Sequence, residues 1–270
     1  MDAGLAGKVV LVTGASGGIG GTIVRHFAAE RARVAAHYNS GRERAEAAFK
    51  DLGSQVCLLG ADLRNEDAVE SLFAEAEKSL GPVEVLVANA GWWPPDHVPV
   101  HKMSLQQWNN TLAVNLTSAF LCARAFLRGV ERRRLADPAI VFISSTAGLI
   151  GEAGHADYAA AKAALAHGFL LTLKNEIARL APRGRVNTVA PGWTFTPLVD
   201  RFTANPEGVR RTLQTIPLRK VGRPDDVAAA VVYLASSKLA GHVSGQVLTV
   251  SGGMEGRVLY SPDEVDPAKA

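Results

Sequence analysis

Thr13-Gly14-Ala15-Ser16-Gly17-Gly18-Ile19-Gly20 follows the apolar run Val9–Val12 and leads into a helical pattern over 19–31. Glycines let the backbone turn tightly and let a diphosphate come close. The helix that follows offers unpaired N–H groups and a partial positive charge. The spacing is not G-x-G-x-x-G, and a plain strand-to-helix corner also uses glycine. Its place directly after the first strand favours phosphate binding, with Gly14, Ser16, Gly18, Ile19 and Gly20 as the contacts.

The same alternation continues outward from this turn. Val9–Val12, Val34–His37, Val56–Leu59, Val85–Ala88, Ile140–Ile143, Val186–Val189 and Val247–Val250 are short β-branched or aliphatic runs bounded by turn residues. Helical patterns over 19–31, 42–52, 66–80, 105–134, 157–181 and 224–236 separate them. Repeated β-α units predict right-handed crossovers and a doubly wound, Rossmann-type parallel sheet of about seven strands with helices on both faces. No repeat or low-complexity linker marks a boundary, so residues 1–270 are expected to form a single dinucleotide-binding and catalytic domain. Residues 192–216 carry Trp193, Phe195, Pro197, Phe202 and Pro206 with no clean period, the mark of a substrate loop or lid. The arm 256–270 is charged and Pro-containing, and is expected to lie on the surface or fray.

Composition narrows the function. A net charge of +3 with no basic stripe argues against nucleic acid. No apolar run reaches membrane-spanning length, and the N-terminus lacks a signal-peptide pattern, so a cytoplasmic protein is expected. The sequons at Asn109 and Asn115 are then chance matches. The two cysteines, Cys57 and Cys122, read as buried core thiols. His97 and His101 have a metal-like spacing, but Pro99 between them argues against a helix, and no metal is assigned.

Ligands of open α/β sheets bind at the carboxyl ends of the strands. Three segments fall there. Ala61-Asp62-Leu63 offers a carboxylate to an adenine amino group, although Asp62 or Asn65 can equally cap the next helix. Asn89-Ala90-Gly91 ends the fourth strand, and Ser144-Ser145 ends the fifth. A hydroxyl at Ser145 can bond a substrate carbonyl or merely cap the turn around Thr146. Tyr158 and Lys162 share a helix face at i, i+4. An ammonium near a phenol is expected to lower its pKa toward a useful range, but any helix offers such pairs. Asn115, in the middle of an apolar helical pattern, needs a partner, either a structural one or a water in a proton relay.

Taken together these pieces resemble one family. Thr13-Gly14-x-x-x-Gly18-x-Gly20, Asp62, Asn89-Ala90-Gly91, Asn115, Ser145, Tyr158-x-x-x-Lys162 and Pro191-Gly192 occur in the order and spacing of the compact short-chain dehydrogenases/reductases, over roughly residues 5–255. One departure is Ala88, where the family often has Asn. The resemblance implies a catalytic tetrad of Asn115, Ser145, Tyr158 and Lys162. It implies that the backbone near Thr194 and the hydroxyl of Thr196 hold the nicotinamide carboxamide. It also implies hydride transfer between a nicotinamide cofactor and a carbonyl or secondary alcohol. A dimer or tetramer built on the patterns 105–134 and 157–181 follows from the same resemblance and from their apolar outer faces.

The second strand is followed by His37-Tyr38-Asn39-Ser40-Gly41-Arg42, with Tyr38 where NAD enzymes tend to place an acid. Nothing there repels a 2′-phosphate, and Ser16, Asn39, Ser40 and Arg42 can bind one. Gly17 stands where NADP-using relatives often carry a basic residue. The balance favours NADP over NAD. Trp92, Trp93, His155, Trp193, Phe195 and Phe202 border the expected pocket and point to an apolar or ring-bearing substrate; His155 is expected to be a loop hydrogen-bonder. A 3-oxoacyl thioester on a carrier protein or coenzyme A is the leading expectation, with Arg134 and Arg179 placed to meet an acidic partner. A cyclic or other apolar secondary alcohol is the rival, and a cofactor-binding protein without turnover the distant third.

Overall fold

The computed structural model describes residues 2–196 and 205–269. Seven parallel strands form one sheet in the order β3-β2-β1-β4-β5-β6-β7. They are β1 Val9–Val12, β2 Arg33–Tyr38, β3 Val56–Gly60, β4 Val85–Ala88, β5 Ala139–Ile143, β6 Arg185–Pro191 and β7 Val247–Val250. All seven runs read from the sequence are strands, and the doubly wound class is observed.

Strand alternation divides the core. Val9 and Leu11 of β1 point to one face and pack with Leu72, Phe126 and Leu170. Val10 and Val12 point to the other and pack with Ile23, Phe27 and Val231. A strand covered on both faces must be apolar at every position, which is why β1 and β4 are unbroken aliphatic runs. The first face carries α3 (Glu66–Leu80), α4 (Leu105–Leu112), α5 (Ser118–Arg133), α7 (Ala156–Ala166) and α8 (Gly168–Leu180). The second carries α1 (Gly18–Ala29), α2 (Arg42–Phe49) and α10 (Pro224–Ala235). The short α6 is Ala147–Ile150, and α9 is Pro206–Leu213.

β1 lies between β2 and β4, so the chain leaves the first strand in one direction and returns on its other side. That reversal opens a crevice at the carboxyl ends of β1 and β4, where such sheets take ligands. Several expectations need correction. The pattern 157–181 is two helices, broken at His167 (φ −130°, ψ −93°). The pattern 105–134 contains a wide π-type turn at Ala113–Thr117. The stretch 192–216 contains α9, while its residues Pro197 and Phe202 lie outside the described residues. Cys122 is buried as expected, but Cys57 is only half-buried.

The C-terminal arm is not frayed. Val265 is buried among Val209, Leu213 and Val221, so the arm crosses α9. Gln214 Nε2 donates to the Tyr260 carbonyl at 2.7 Å, and the Leu259 amide donates to the Gln214 carbonyl at 2.7 Å. The Arg219 guanidinium lies 4.3 Å from the Tyr260 ring centre. Most of the arm is exposed, as the surface alternative expects, and Val265 with the half-buried Tyr260 anchors it.

Candidate active site

The glycine turn is built to stay open. Gly14 has φ +69°, a left-handed conformation that a side chain resists. A Cβ on Gly20 would overlap the Gly14 carbonyl. Gly17, the N-cap of α1, is extended, and no side chain caps the first turn. Its N–H groups are therefore left for a ligand, which is the cradle a dinucleotide diphosphate requires.

Two residues hold this turn in place. Asn89 Nδ2 donates to the carbonyls of Thr13 at 2.8 Å and Gly14 at 3.3 Å. Thr13 Oγ1 accepts from the amides of Asn89 and Ala90. The Asn89 amide is thus committed to the loop itself. His37 was not singled out from the sequence. Its Nδ1 accepts the Gly14 N–H at 3.1 Å, so its Nε2 carries the hydrogen shared with the Ala61 carbonyl at 3.0 Å. Burial lowers the His37 pKa, which keeps the imidazole neutral in this role. A polar residue inside an apolar strand was the available signal.

At the end of β2, Arg42 is paired with Glu46 at 2.8 Å, one turn along α2, rather than facing the crevice. Arg44 converges there instead. A Cβ on Gly41 would lie 2.7 Å from Ser16 Oγ and 3.0 Å from Arg44 Nη2. Among the described residues no carboxylate is ion-paired with Arg44. Asn39 and Ser40 occupy the bend between Tyr38 and Gly41. Asp62 faces Arg64, whose Nη2 lies at 2.6 Å, and that hydrogen bond holds the carboxyl below its usual range. The cap of α3 is Asn65, which accepts the Ala68 N–H, and not Asp62. Leu63 is buried beside it.

The second half of the site sits on β4, β5, α7 and the π-type turn. Asn115 is fully buried; its Nδ2 donates to the carbonyls of Trp92 at 2.9 Å and Thr111 at 3.1 Å, and its Oδ1 accepts the Trp92 N–H at 3.1 Å. A Cβ on Gly91 would lie 2.8 Å from Asn115 Oδ1 and 3.0 Å from Lys162 Nζ, so only glycine lets those two groups approach. Lys162 Nζ donates to the Ile143 carbonyl at 3.0 Å and lies 5.6 Å from the Tyr158 ring centre. Ser145 and Tyr158 share a side-chain hydrogen bond. The four residues expected from the family resemblance are therefore neighbours. Asp157, fully buried, fixes the start of α7 by accepting from Thr111 Oγ1 at 2.7 Å, Gln107 Nε2 at 3.2 Å and the Tyr158 N–H at 2.9 Å.

The electrostatics differ from expectation. Burial pushes the Tyr158 phenol up to about 12; the Ser145 hydrogen bond opposes this and the Glu152 charge adds to it. Burial also pulls Lys162 down to about 8. The predicted lowering of the phenol by lysine is not found in the protein's own groups. The ammonium is spent on Ile143 and stands over the ring, and the cost of burying a phenolate outweighs it.

A cavity of about 300 Å³ at the start of α7 is lined by Trp93, His97, Glu152, His155, Trp193 and Val209, among others. His155 stacks on Trp93 with ring centres 4.7 Å apart, and Trp193 meets Trp93 edge-on at 6.4 Å. Trp93 Nε1 donates to Glu152 Oε1 at 3.1 Å. Trp92 is largely exposed. Glu152 was not singled out from the sequence, and His155 is not the loop hydrogen-bonder expected there. His97 turns toward His155, while His101 stands exposed in the turn Val100–Lys102. Thr194 is buried, with Oγ1 donating to the Gly192 carbonyl at 3.1 Å; Pro191 ends β6, and Thr196 follows two residues after Thr194.

Comparison with known proteins agrees with this geometry. The family described as enoyl-(acyl carrier protein) reductase matches residues 14–255. A 3beta-hydroxysteroid dehydrogenase of Eggerthella lenta is 38% identical, over 93% of this chain and 94% of that protein. A 3-oxoacyl-[acyl-carrier-protein] reductase of Synechocystis sp. is 34% identical, over 93% and 98%. A cis-4-hydroxycyclohexanecarboxylate dehydrogenase of Sinomonas cyclohexanicum is 35% identical, over 94% and 98%. The chain belongs to the short-chain dehydrogenase/reductase family. It is an NAD(P)-dependent oxidoreductase that interconverts a carbonyl and an alcohol. Among the described residues, no helix is long and apolar enough to cross a membrane.

Proposed function

We propose that this enzyme interconverts ring-bearing, apolar ketones and secondary alcohols with NADP, using Asn115, Ser145, Tyr158 and Lys162. The observation that carries the reading is the aromatic cavity at the start of the helix that carries Tyr158, walled by the indoles of Trp93 and Trp193 and the imidazoles of His97 and His155. Flat faces of this kind favour a rigid ring over a flexible chain. The relatives named for a hydroxysteroid and a hydroxycyclohexanecarboxylate support it.

The bound nicotinamide supplies or accepts the hydride. In reduction Tyr158 gives its phenolic proton to the carbonyl oxygen, and a phenol held near 12 keeps that proton throughout the neutral range. Ser145 donates to the same oxygen as charge builds on it. Lys162 steadies the phenolate that results. Asn115, with both ends of its amide committed, positions Gly91 and the loop after β4. Gly14, Gly18, Ile19 and Gly20 would hold the diphosphate, and Asp62 and Leu63 the adenine. Asn89, Ala90 and Gly91 would border the ribose, and Pro191, Gly192, Thr194 and Thr196 the carboxamide. Ser16, Ser40 and Arg44 would hold the 2′-phosphate, beside Tyr38 and Asn39.

A second reading, reduction of 3-oxoacyl thioesters, has its own support. Arg128, Arg132 and Arg133 are tied to Glu70 and Glu77, whereas Arg134 and Arg179 are exposed with no ion pair among the described residues. They remain open to an acidic carrier. Steady-state rates with cyclic ketones and 3-oxoacyl thioesters, each with NADPH and NADH, separate the readings. Higher kcat/KM for the thioesters sinks the first. A cytoplasmic homodimer or homotetramer completes the proposal: Phe120 of α5 and Leu171 of α8 are 42% and 46% exposed, an apolar surface suited to a second copy. Light scattering that gives a 28.5 kDa particle would refute that part.

A further inference from the structure

His155 is 5% exposed, yet neither of its ring nitrogens has an aligned hydrogen-bond partner among the described residues. A buried polar atom without a partner costs stability and marks a place where something else binds. The residue stands at the N-cap of α7, three positions before Tyr158, and its ring is clamped between Trp93 and the edge of His97. Nδ1 lies 3.3 Å from Glu152 Oε1, near enough for charge attraction though poorly aligned for a hydrogen bond. Trp93 Nε1 donates to the same Oε1 at 3.1 Å and reaches Oε2 at 3.4 Å, which holds that carboxylate in place. His155 opens the helix that carries Tyr158, and the Glu152 charge adds to the rise of that phenol.

The chemistry follows from the pair. A carboxylate beside Nδ1 draws the ring hydrogen to that nitrogen, leaving Nε2 as a lone-pair acceptor. Both His155 and Glu152 line the cavity, whose other described walls are mostly apolar. A hydrogen donor carried by the substrate would supply the missing partner. A hydroxyl fits. A carboxylate would meet the Glu152 charge and a lone pair, and an unsubstituted ring would leave Nε2 unsatisfied.

We propose that His155, oriented by Glu152, is a specificity residue that reads a second hydroxyl on the ring, so that the preferred substrates are cyclic hydroxyketones and diols. The inference rests on the ring-bearing substrate reading. It is tested by kcat/KM with NADPH for 4-hydroxycyclohexanone, cyclohexanone, 4-oxocyclohexanecarboxylate, their fused two-ring counterparts and a 3-oxoacyl thioester. Wild-type enzyme is expected to favour the hydroxylated ring over the plain ring by about tenfold or more, because a site built for a hydroxyl penalises its loss. His155→Phe keeps the stack on Trp93 and is expected to erase the ratio. His155→Gln, which retains an acceptor, is expected to keep part of it, an effect that a purely structural role would not give. A ratio that survives in His155→Phe, or a wild-type preference for the carboxylate ring, overturns the proposal while leaving ring specificity standing. Turnover of the thioester alone overturns both.

Discussion

Lys162 Nζ lies 5.6 Å from the centre of the Tyr158 ring, one helical turn away, and donates to the Ile143 carbonyl rather than to the phenol. Burial of this pair separates the two groups in opposite directions: the phenol is pushed up to about 12 and the ammonium down to about 8. A protonated acid beside an amine that titrates near neutrality suits proton donation in reduction. It also leaves a stability signature.

Lys162 titrates at about 8 in the fold and at the ordinary 10.5 when unfolded. Below pH 8 both states carry the proton, and the fold bears the full cost of a buried ammonium. Between about 8 and 10.5 the unfolded chain binds the proton and the folded one does not, so stability rises with pH. Tyr158 opposes this only above its ordinary value of 10.0. The unfolding free energy of wild type minus that of Lys162→Met is therefore expected to climb by about 1.4 kcal/mol per pH unit over most of the window from 8 to 10. Urea melts across that range check it; a flat or falling difference would contradict the buried-ammonium account.

Arg44→Ala tests the phosphate contact. If its guanidinium meets a 2′-phosphate beside Ser16, removing one charge-assisted contact of about 1.5–3 kcal/mol weakens NADPH binding by more than about tenfold and leaves NADH unchanged. Titration of cofactor fluorescence reads both affinities. Equal losses for the two cofactors would place Arg44 outside the selection. Tyr38→Asp is expected to shift preference toward NADH by supplying a ribose acceptor.

Val265→Asp breaks the one fully buried apolar contact that the described part of the arm places against α9, where Tyr260 is only half-buried. A carboxylate forced among Val209, Leu213 and Val221 is expected to cost about 2–3 kcal/mol or to release the arm. Since Val209 also lines the cavity, KM for a cyclic ketone is expected to rise about fivefold or more with kcat changed less. Thermal melts and steady-state kinetics together decide it. An unchanged KM would mean that the arm does not support the pocket.

Much of this was legible in the chain. Uninterrupted aliphatic runs such as Val85–Ala88 announce a strand covered on both faces, and their spacing announces the crossovers. Gly14 was legible from the glycine-rich turn after the first strand and Gly91 from the family resemblance, and the structure adds the close approaches that a Cβ would block at each. What stayed hidden depends on contacts between distant segments. The break at His167 and the wide turn around Asn115 are tertiary overrides of a continuous helical period. His37 and Glu152 gain their roles from partners 23 to 59 residues away, and Arg44 from a turn whose course no local pattern gives. The direction of the Tyr158 shift depends on burial, which i, i+4 spacing does not report.

The central claim is that Tyr158 carries the proton. Tyr158→Phe retains the ring and loses only the hydroxyl, so NADPH affinity is expected to stay within about threefold while kcat/KM for a cyclic ketone falls by about a thousandfold or more. The deciding measurement is kcat/KM of the purified variant in the same preparation used for the fluorescence titration. Tight NADPH binding with turnover abolished is the predicted result; a rate within about tenfold of wild type, a barrier change of about 1.4 kcal/mol, would contradict it.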